Sequence, residues 1–219
     1  MAVSAEIRRE FLEQAAGPVS DEQMRLLGSF GRILLASADR VNLMSRLQLD
    51  RLGEQIVDSA GVLGITDPSG LSCVDLGSGN GLPGVVLAIL RPAARIALVE
   101  ARRKKVVVLK KIQRELELRN LEVVHRRIEA LPPAGYDLGL SRALGAVEST
   151  LAPSLRVICD GGRLVLYKGP GWIDERAVME TVAAREGAQL MRAVPVGVPG
   201  TDRVTTLVEF HVERSRGSR

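Results

Sequence analysis

The run Val74-Asp75-Leu76-Gly77-Ser78-Gly79-Asn80-Gly81-Leu82-Pro83-Gly84 constrains this chain more than any other stretch. A short apolar segment (Cys73, Val74, Leu76) contains an acidic residue near its end. Glycines follow at 77, 79, 81 and 84, and an apolar helix runs from Val85 to Leu90. The pattern reads as a strand, a tight turn and a helix N-terminus. Glycine is required where the backbone takes φ > 0 or must lie against a ligand. Pro83 suits the first helical turn, where its missing N–H is no loss. A chain built around such a unit is expected to form an open α/β sheet, with a ligand resting over the end of its first strand.

The ligand class follows from the neighbours of the glycines. Gly79-Asn80-Gly81-Leu82-Pro83-Gly84 matches the dinucleotide pattern G-x-G-x-x-G, and Glu100 lies at a suitable distance beyond it. Asp75, just before the first glycine, would repel a pyrophosphate seated in the turn. S-adenosyl-L-methionine carries no phosphate, and its ammonium and sulfonium groups are both favoured by a nearby carboxylate. The turn is therefore read as the nucleoside-binding loop of a class I methyltransferase, with Asp75, Gly77, Gly79 and Leu82 at the methyl donor. An NAD(P)-dependent oxidoreductase is the alternative. It requires Asp75 beside a pyrophosphate and a proton-relay residue that the sequence does not offer.

At 219 residues the chain is long enough for one main domain with a modest extension. Its apolar runs are too short to span a membrane, and charges at Glu6, Arg8, Arg9 and Glu10 rule out a signal peptide. Cys73 and Cys159 form no C-x-x-C pair and read as buried free thiols of a reducing compartment. The expectation is a cytoplasmic monomer with no membrane contact. His125 and His211 lie far apart in sequence, so no metal site is expected. The net charge of +4 is mild, but Arg102, Arg103, Lys104, Lys105, Lys110, Lys111 and Arg114 crowd into one segment. Such a face is either a plain solvated helix surface or a phosphate-backbone footprint. Aromatic residues make up 3% of the chain, too few for a base-stacking platform.

Residues 1–67 read as a helical cap packed on the sheet. Ser20 with Gln23 forms a capping box, and Met24, Leu27, Phe30, Ile33 and Leu34 recur at helical spacing. A loop is expected over 39–45, then a second helix from about Asp50 carrying Leu52, Ile56 and Leu63. The turn-rich Thr66-Asp67-Pro68-Ser69-Gly70 marks the boundary. Residues 68–213 then alternate strands and helices, the rhythm of a mostly parallel, seven-stranded Rossmann-like sheet. Strands are expected at 95–100, 121–125, 136–141, 163–167, about 190–196 and 203–212. Helices are expected at 102–118, 147–158 (with a kink at Pro153) and 174–186. A turn is expected at Asp160-Gly161-Gly162, and residues 214–219 read as a disordered basic tail.

In such a sheet the ligand lies across the carboxyl ends of the strands. Glu100 ends strand two and is placed to accept ribose hydroxyls, or serves as a helix N-terminal charge. Ile128 and Glu129 follow strand three, where adenine is held between an apolar side chain and polar groups. Ser141-Arg142-Ala143 closes strand four, where donor and acceptor meet. An arginine there is costly without a ligand or a carboxylate to pair with it. Arg142 is thus an orienting catalytic candidate, directed at guanine O6, a phosphate or the donor's carboxylate, or else the member of an internal ion pair. No Asp/Asn-Pro-Pro-Tyr element is present for an exocyclic amine, and no Pro-Cys nucleophile for pyrimidine carbon. Guanine N7 needs neither, since its lone pair is free at neutral pH.

The glycine run, with Arg91-Pro92, Glu100, Lys104-Lys105-Val106, Ser141-Arg142-Ala143 and Leu166-Tyr167-Lys168-Gly169, resembles the RsmG (GidB) family over roughly residues 20–212. That resemblance implies S-adenosylmethionine-dependent methylation of guanine N7 in 16S ribosomal RNA, with the small-subunit RNA or 30S particle as partner. It implies donor contacts from Gly77, Leu82, Ile128, Glu129 and Arg142, and puts Lys168 on the substrate side. Arg102, Arg103, Lys104, Lys105 and Lys168 are the candidate RNA contacts. Asn42-Leu43 and Ile56-Val57-Asp58-Ser59 resemble the segment before the first strand. Family members show Tyr-Asn-Leu-Thr and a histidine before Ile-Leu-Asp-Ser, whereas this chain has Val41-Asn42-Leu43-Met44 and Gln55-Ile56-Val57-Asp58-Ser59. Two alternatives therefore stand beside it: a diverged class I methyltransferase with another acceptor, or a non-catalytic module that binds an adenosine ligand or RNA.

Overall fold

A computed structural model of the protein describes residues 7–41, 45–142 and 145–214. The expectations for 1–6, Asn42 to Met44, Ala143 and 215–219 fall outside those residues.

Seven strands form one sheet in the order β3-β2-β1-β4-β5-β7-β6. They are β1 (Ser72–Leu76), β2 (Arg95–Glu100), β3 (Leu121–His125), β4 (Tyr136–Arg142), β5 (Ile158–Lys168), β6 (Ala188–Gly197) and β7 (Val204–Val212). β1 pairs in parallel with β2 and β4, and β4 with β5, while β7 runs antiparallel to both β5 and β6. The chain order reverses between β1 and β4, so a crevice opens beyond their carboxyl ends. Leu76 pairs there with Ser141, which brings the glycine turn beside Arg142. The antiparallel β7 starts at the edge where the parallel strands finish, with Thr206 opposite Lys168.

The N-terminal helices are α1 (Arg9–Ala16), α2 (Asp21–Val41), α3 (Arg46–Asp50) and α4 (Leu52–Ala60), followed by a 3-10 turn at Gly61–Gly64. The capping box at Ser20 is present, its hydroxyl accepting from Gln23 N at 3.2 Å while Gln23 Oε1 accepts from Ser20 N at 2.9 Å. Gln23 Nε2 then donates to the carbonyls of Ile89 and Leu90, at the C-terminal end of α5 (Gly84–Leu90). Leu12, Leu27, Phe30, Leu34 and Ile56 pack in one core with Leu87, Ile96, Leu98 and Leu109, so the N-terminal helices and one face of the sheet are continuous. The opposite face, with Val74, Leu76, Val99 and Phe210, is covered by α7 (Val147–Arg156) and α8 (Trp172–Arg185). Alternation along β1 and β2 sends Cys73, Ile96 and Leu98 to the first core and Val74, Ala97 and Val99 to the second.

Several boundaries move. α2 continues to Val41, so Asp39 and Arg40 lie in a helix and not in a loop. α6 (Arg103–Glu115) is shorter than expected, because Glu117 takes φ +51 and ends the helical path. β5 begins at Ile158, and the Asp160-Gly161-Gly162 segment is an irregularity inside the strand: Gly161 has φ +78, and the register slips between Tyr136 and Leu138 of β4. Helix α7 passes through Pro153 to Arg156. Cys159 is half-buried, not buried. Arg214 is not part of a loose tail. It is tied to the carbonyls of Leu155 and Ile158 at 2.8 Å each, and its own amide donates to Asp160.

Candidate active site

A cavity of about 420 Å³ lies over the switch point between β1 and β4. Its floor is the turn: Gly77, Ser78, Gly79, Asn80 and Leu82. Arg142 enters from β4, Arg203 from the start of β7 and Lys105 from α6, while Arg51 and Gln55 close it from the N-terminal helices. The lining holds four cations and, among the described residues, no carboxylate, histidine or thiol. A second cavity of about 430 Å³, lined by Tyr167, Lys168, Gly169, Pro170, Val204 and Thr205, shares Arg142 and Arg203 with the first.

The turn is held by its own amides. Gly77 N and Ser78 N donate to Val99 O, Gly81 N to Ser78 O and Leu82 N to Asn80 Oδ1. Gly79 N donates to Glu100 Oε2 at 3.0 Å, and Gly84 N to Asp75 Oδ2 at 2.9 Å. A pyrophosphate cradle needs such amides free and pointing outward. These point inward, so the geometry argues against a dinucleotide more directly than charge does. Gly77, Gly79 and Gly81 have φ of +72, +57 and +93, a region that disfavours any side chain. A Cβ on Gly84 would overlap Leu98 and come within 2.8 Å of Asp75 Oδ2.

The acidic residues sit deeper than sequence reasoning placed them. Asp75 is 1% exposed and lies beneath the turn as the cap of α5, not in the cavity wall. Burial pushes its carboxyl up to about 7, against the hydrogen bond from Gly84 and the charge of Arg142. Its Oδ1 is buried and has no partner among the described residues. Glu100 is also buried, its two oxygens taken by the amides of Gly79 and Arg102, so it joins the turn to the start of α6. Ile128 and Glu129 stand on a 3-10 turn after β3; Ile128 packs half-buried against the second core and Glu129 is exposed. Neither lines the first cavity.

Arg142 is engaged inside the protein. Its Nη2 lies 3.0 Å from Asp58 Oδ2, and its Nη1 donates to Ser59 Oγ at 3.3 Å. Burial lowers its pKa and the charge of Asp58 works against that shift. Arg203 approaches the same Oδ2 at 3.9 Å. Asp58 is 1% exposed and, among the described residues, receives no well-directed hydrogen bond on either oxygen, so ion pairing holds it. The internal ion-pair reading of Arg142 is therefore realised, and Arg142 still lines both cavities. Asp58 and Arg203 are the residues sequence reasoning missed. Asp58 had a local signal, in the segment Ile56 to Ser59; Arg203 had none, because its position depends on β7 running antiparallel.

Of the basic candidates, Arg102, Arg103 and Lys104 are exposed, while half-buried Lys105 reaches the turn. The first turn of α6 has no acidic residue, although the helix dipole disfavours cations there by about 0.3–1 kcal/mol each. Lys168 lines the second cavity and is ion-paired with Glu175.

A family model described as rRNA small subunit methyltransferase G (GidB) matches residues 23–201. The chain belongs to the GidB family. Among relatives named ribosomal RNA small subunit methyltransferase G, that of Chromobacterium violaceum is 30% identical, covering 92% of this chain and 95% of its own. The one from Acidiphilium cryptum is 33% identical, with 86% of each chain covered. Solved structures share the fold: TYW2 from M. jannaschii in complex with AdoMet (TM-score 0.57, 14% identity, 73% of this chain and 76% of that one), and a 16S rRNA (adenine(1408)-N(1))-methyltransferase from Catenulisporales acidiphilia (TM-score 0.56, 15% identity, 68% and 88%). The GidB chain is thus a class I, S-adenosylmethionine-dependent methyltransferase. Its residues fit that donor. Gly77, Gly79 and Leu82 floor the space, the cations Arg51 and Arg142 suit a carboxylate, and the unpartnered Asp75 Oδ1 lies beneath the turn.

Proposed function

We propose that this protein methylates guanine N7 in small-subunit ribosomal RNA, acting as a cytoplasmic monomer whose helices up to residue 67 form a cap on the methyltransferase domain at 68–213. Bound S-adenosylmethionine supplies an electrophilic methyl group. Gly77, Gly79 and Leu82 floor its site, and Arg142 stands at the edge that faces the acceptor. The observation that carries the reading is what the two cavities lack: among the described residues lining them there is no Asp, Glu, His or Cys. Tyr167, the one acidic hydroxyl present, is held protonated by burial. Cys73 is buried with its thiol pushed up to about 12, and it lines neither cavity. A site lined by no carboxylate, imidazole or thiol suits an acceptor whose lone pair is already free, and guanine N7 is one. The protein's contribution is then placement and removal of water. Exposed cations on α6 next to the turn supply contacts for the RNA backbone.

The test is labelled methyl transfer from S-adenosylmethionine to 30S subunits and to naked 16S RNA, followed by nucleoside analysis. 7-Methylguanosine as the labelled product is expected. Label in another nucleoside overturns the acceptor, and no transfer to either substrate overturns the reading.

No helix among the described residues is long and apolar enough to cross a membrane.

A further inference from the structure

Arg142 and Arg203 are the two residues that line both cavities, and both reach one oxygen of Asp58. The wall between the glycine-turn cavity and the Lys168 cavity is therefore two guanidinium groups held from behind by a single buried carboxylate. Asp58 touches neither cavity. α4 presents it at the level where β4 ends and β7 begins, and the same helix is fastened to β5 by the Tyr167 hydroxyl on Ser59 O at 2.7 Å.

We infer that Asp58 is a positioning residue: it fixes Arg142 and Arg203 as the partition at which methyl donor and acceptor base face one another. The inference rests on assigning the first cavity to the donor and the second to the acceptor. Three observations carry it. A carboxylate this buried with no directed hydrogen bond is costly to keep unless its charge is used. Its partners come from two separate strand ends, Arg142 at the end of β4 and Arg203 just before β7, and without it two like charges would be left together. Finally, an arginine is a long side chain with a planar fork, so its donors are placed only if the fork is anchored. With Asp58 removed, the guanidinium groups separate and swing into the cavities. Misplacement of about 1 Å near the reacting atoms is enough to cost a large part of the rate.

The direction of the effect separates positioning from plain stability. Asp58→Asn keeps the shape and removes one negative charge near the RNA site. Affinity for RNA should stay the same or rise. The kcat on 30S subunits should fall at least tenfold. A readout independent of turnover is arginine modification by a dicarbonyl reagent, mapped by mass spectrometry on the ligand-free protein. Arg142 and Arg203 should be modified several times faster in Asp58→Asn than in wild type. Unchanged modification and kcat in a folded Asp58→Asn protein overturn the inference. Should that variant not fold, Asp58→Glu retains the charge one methylene further out. It should melt near the wild-type temperature with kcat reduced several-fold, and full wild-type kcat there also overturns the inference. If wild type itself transfers no methyl group, it is the acceptor reading that fails, and the modification rates still decide the role of Asp58.

Discussion

The Tyr167 hydroxyl donates to the carbonyl of Ser59 at 2.7 Å, a bond that joins the end of β5 to the last turn of α4 with both partners buried. Burial raises the pKa of that phenol well above its ordinary value, so it remains a donor throughout the working pH range. Tyr167→Phe leaves the hole filled but the carbonyl unpaired. A loss of about 1–3 kcal/mol in urea unfolding is expected. Since the same bond sets the height of Asp58, kcat should fall as well, while RNA affinity holds.

Asp75 gives the stability a pH dependence of known sign. In the unfolded chain its carboxyl releases its proton near its ordinary value of 3.8, whereas in the fold it keeps the proton up to about 7. Between those values the native state binds more protons, so this group's contribution to stability is full below pH 4 and is lost as pH rises through 7. The loss is at most roughly 4 kcal/mol. Asp75→Asn still accepts from Gly84 N and carries no charge. Urea unfolding at pH 5 and pH 8 should show a smaller difference for the variant than for wild type, and equal differences would remove Asp75 as the source.

Two glycines of the turn should fail in different ways. Gly79 has φ +57, and a Cβ there would make only ordinary contacts, with Lys105 Nζ at 3.5 Å and Gly77 O at 3.7 Å. Gly79→Val should abolish S-adenosylmethionine binding in calorimetry at a stability cost of about 1–2 kcal/mol. Gly84 has no room: a Cβ there meets Leu98 and the capping oxygen of Asp75. Gly84→Val should lower the melting temperature steeply, and donor binding with it.

Arg142→Ala removes the nearer partner of a buried carboxylate, so about 3–5 kcal/mol of stability should go with it. Turnover should fall much further than RNA affinity. Parallel losses in the two would make Arg142 a binding residue only.

Neutralising Arg103 and Lys104 touches exposed side chains at the start of α6. RNA affinity should weaken, and its slope against salt concentration should flatten by about 1 for each phosphate that is no longer neutralised. The fold should be unaffected or slightly stabilised, because cations leave the positive end of the α6 dipole.

The strand, glycine turn and helix at 72–90 were legible because every constraint on them is local: apolar run, turn residues, helix start. Most strand positions followed from the same signals, but β5 starts at Ile158, at the end of the helix expected over 147–158. Helix ends did not, because residues such as Glu117, with its positive φ, carry no mark in the sequence. In the site, Arg142 was found by its place at a strand end, yet its partner was not, since Asp58 lies far earlier in the chain and meets it only through the packing of α4 on the sheet. Asp75 and Glu100 were found as important carboxylates and assigned to the ligand, whereas the fold commits their hydrogen bonds to the amides of Gly84, Gly79 and Arg102. Sequence identifies that a carboxylate sits at a strand end; which lone pairs remain for a ligand depends on how the following turn closes.

The inward-facing amides of the turn have a consequence for selectivity in the crowded chemistry of a cell. Phosphorylated nucleotides such as ATP and NAD present the same adenosine as the methyl donor. What sets them apart is the phosphate chain, and the amides of Gly77, Ser78, Gly79, Gly81, Leu82 and Gly84 are already committed to partners within the chain. The turn gives those competitors only what they share with the donor, so any hold on a phosphate chain in this site has to come from the side chains of Arg51, Lys105, Arg142 and Arg203 and not from the backbone.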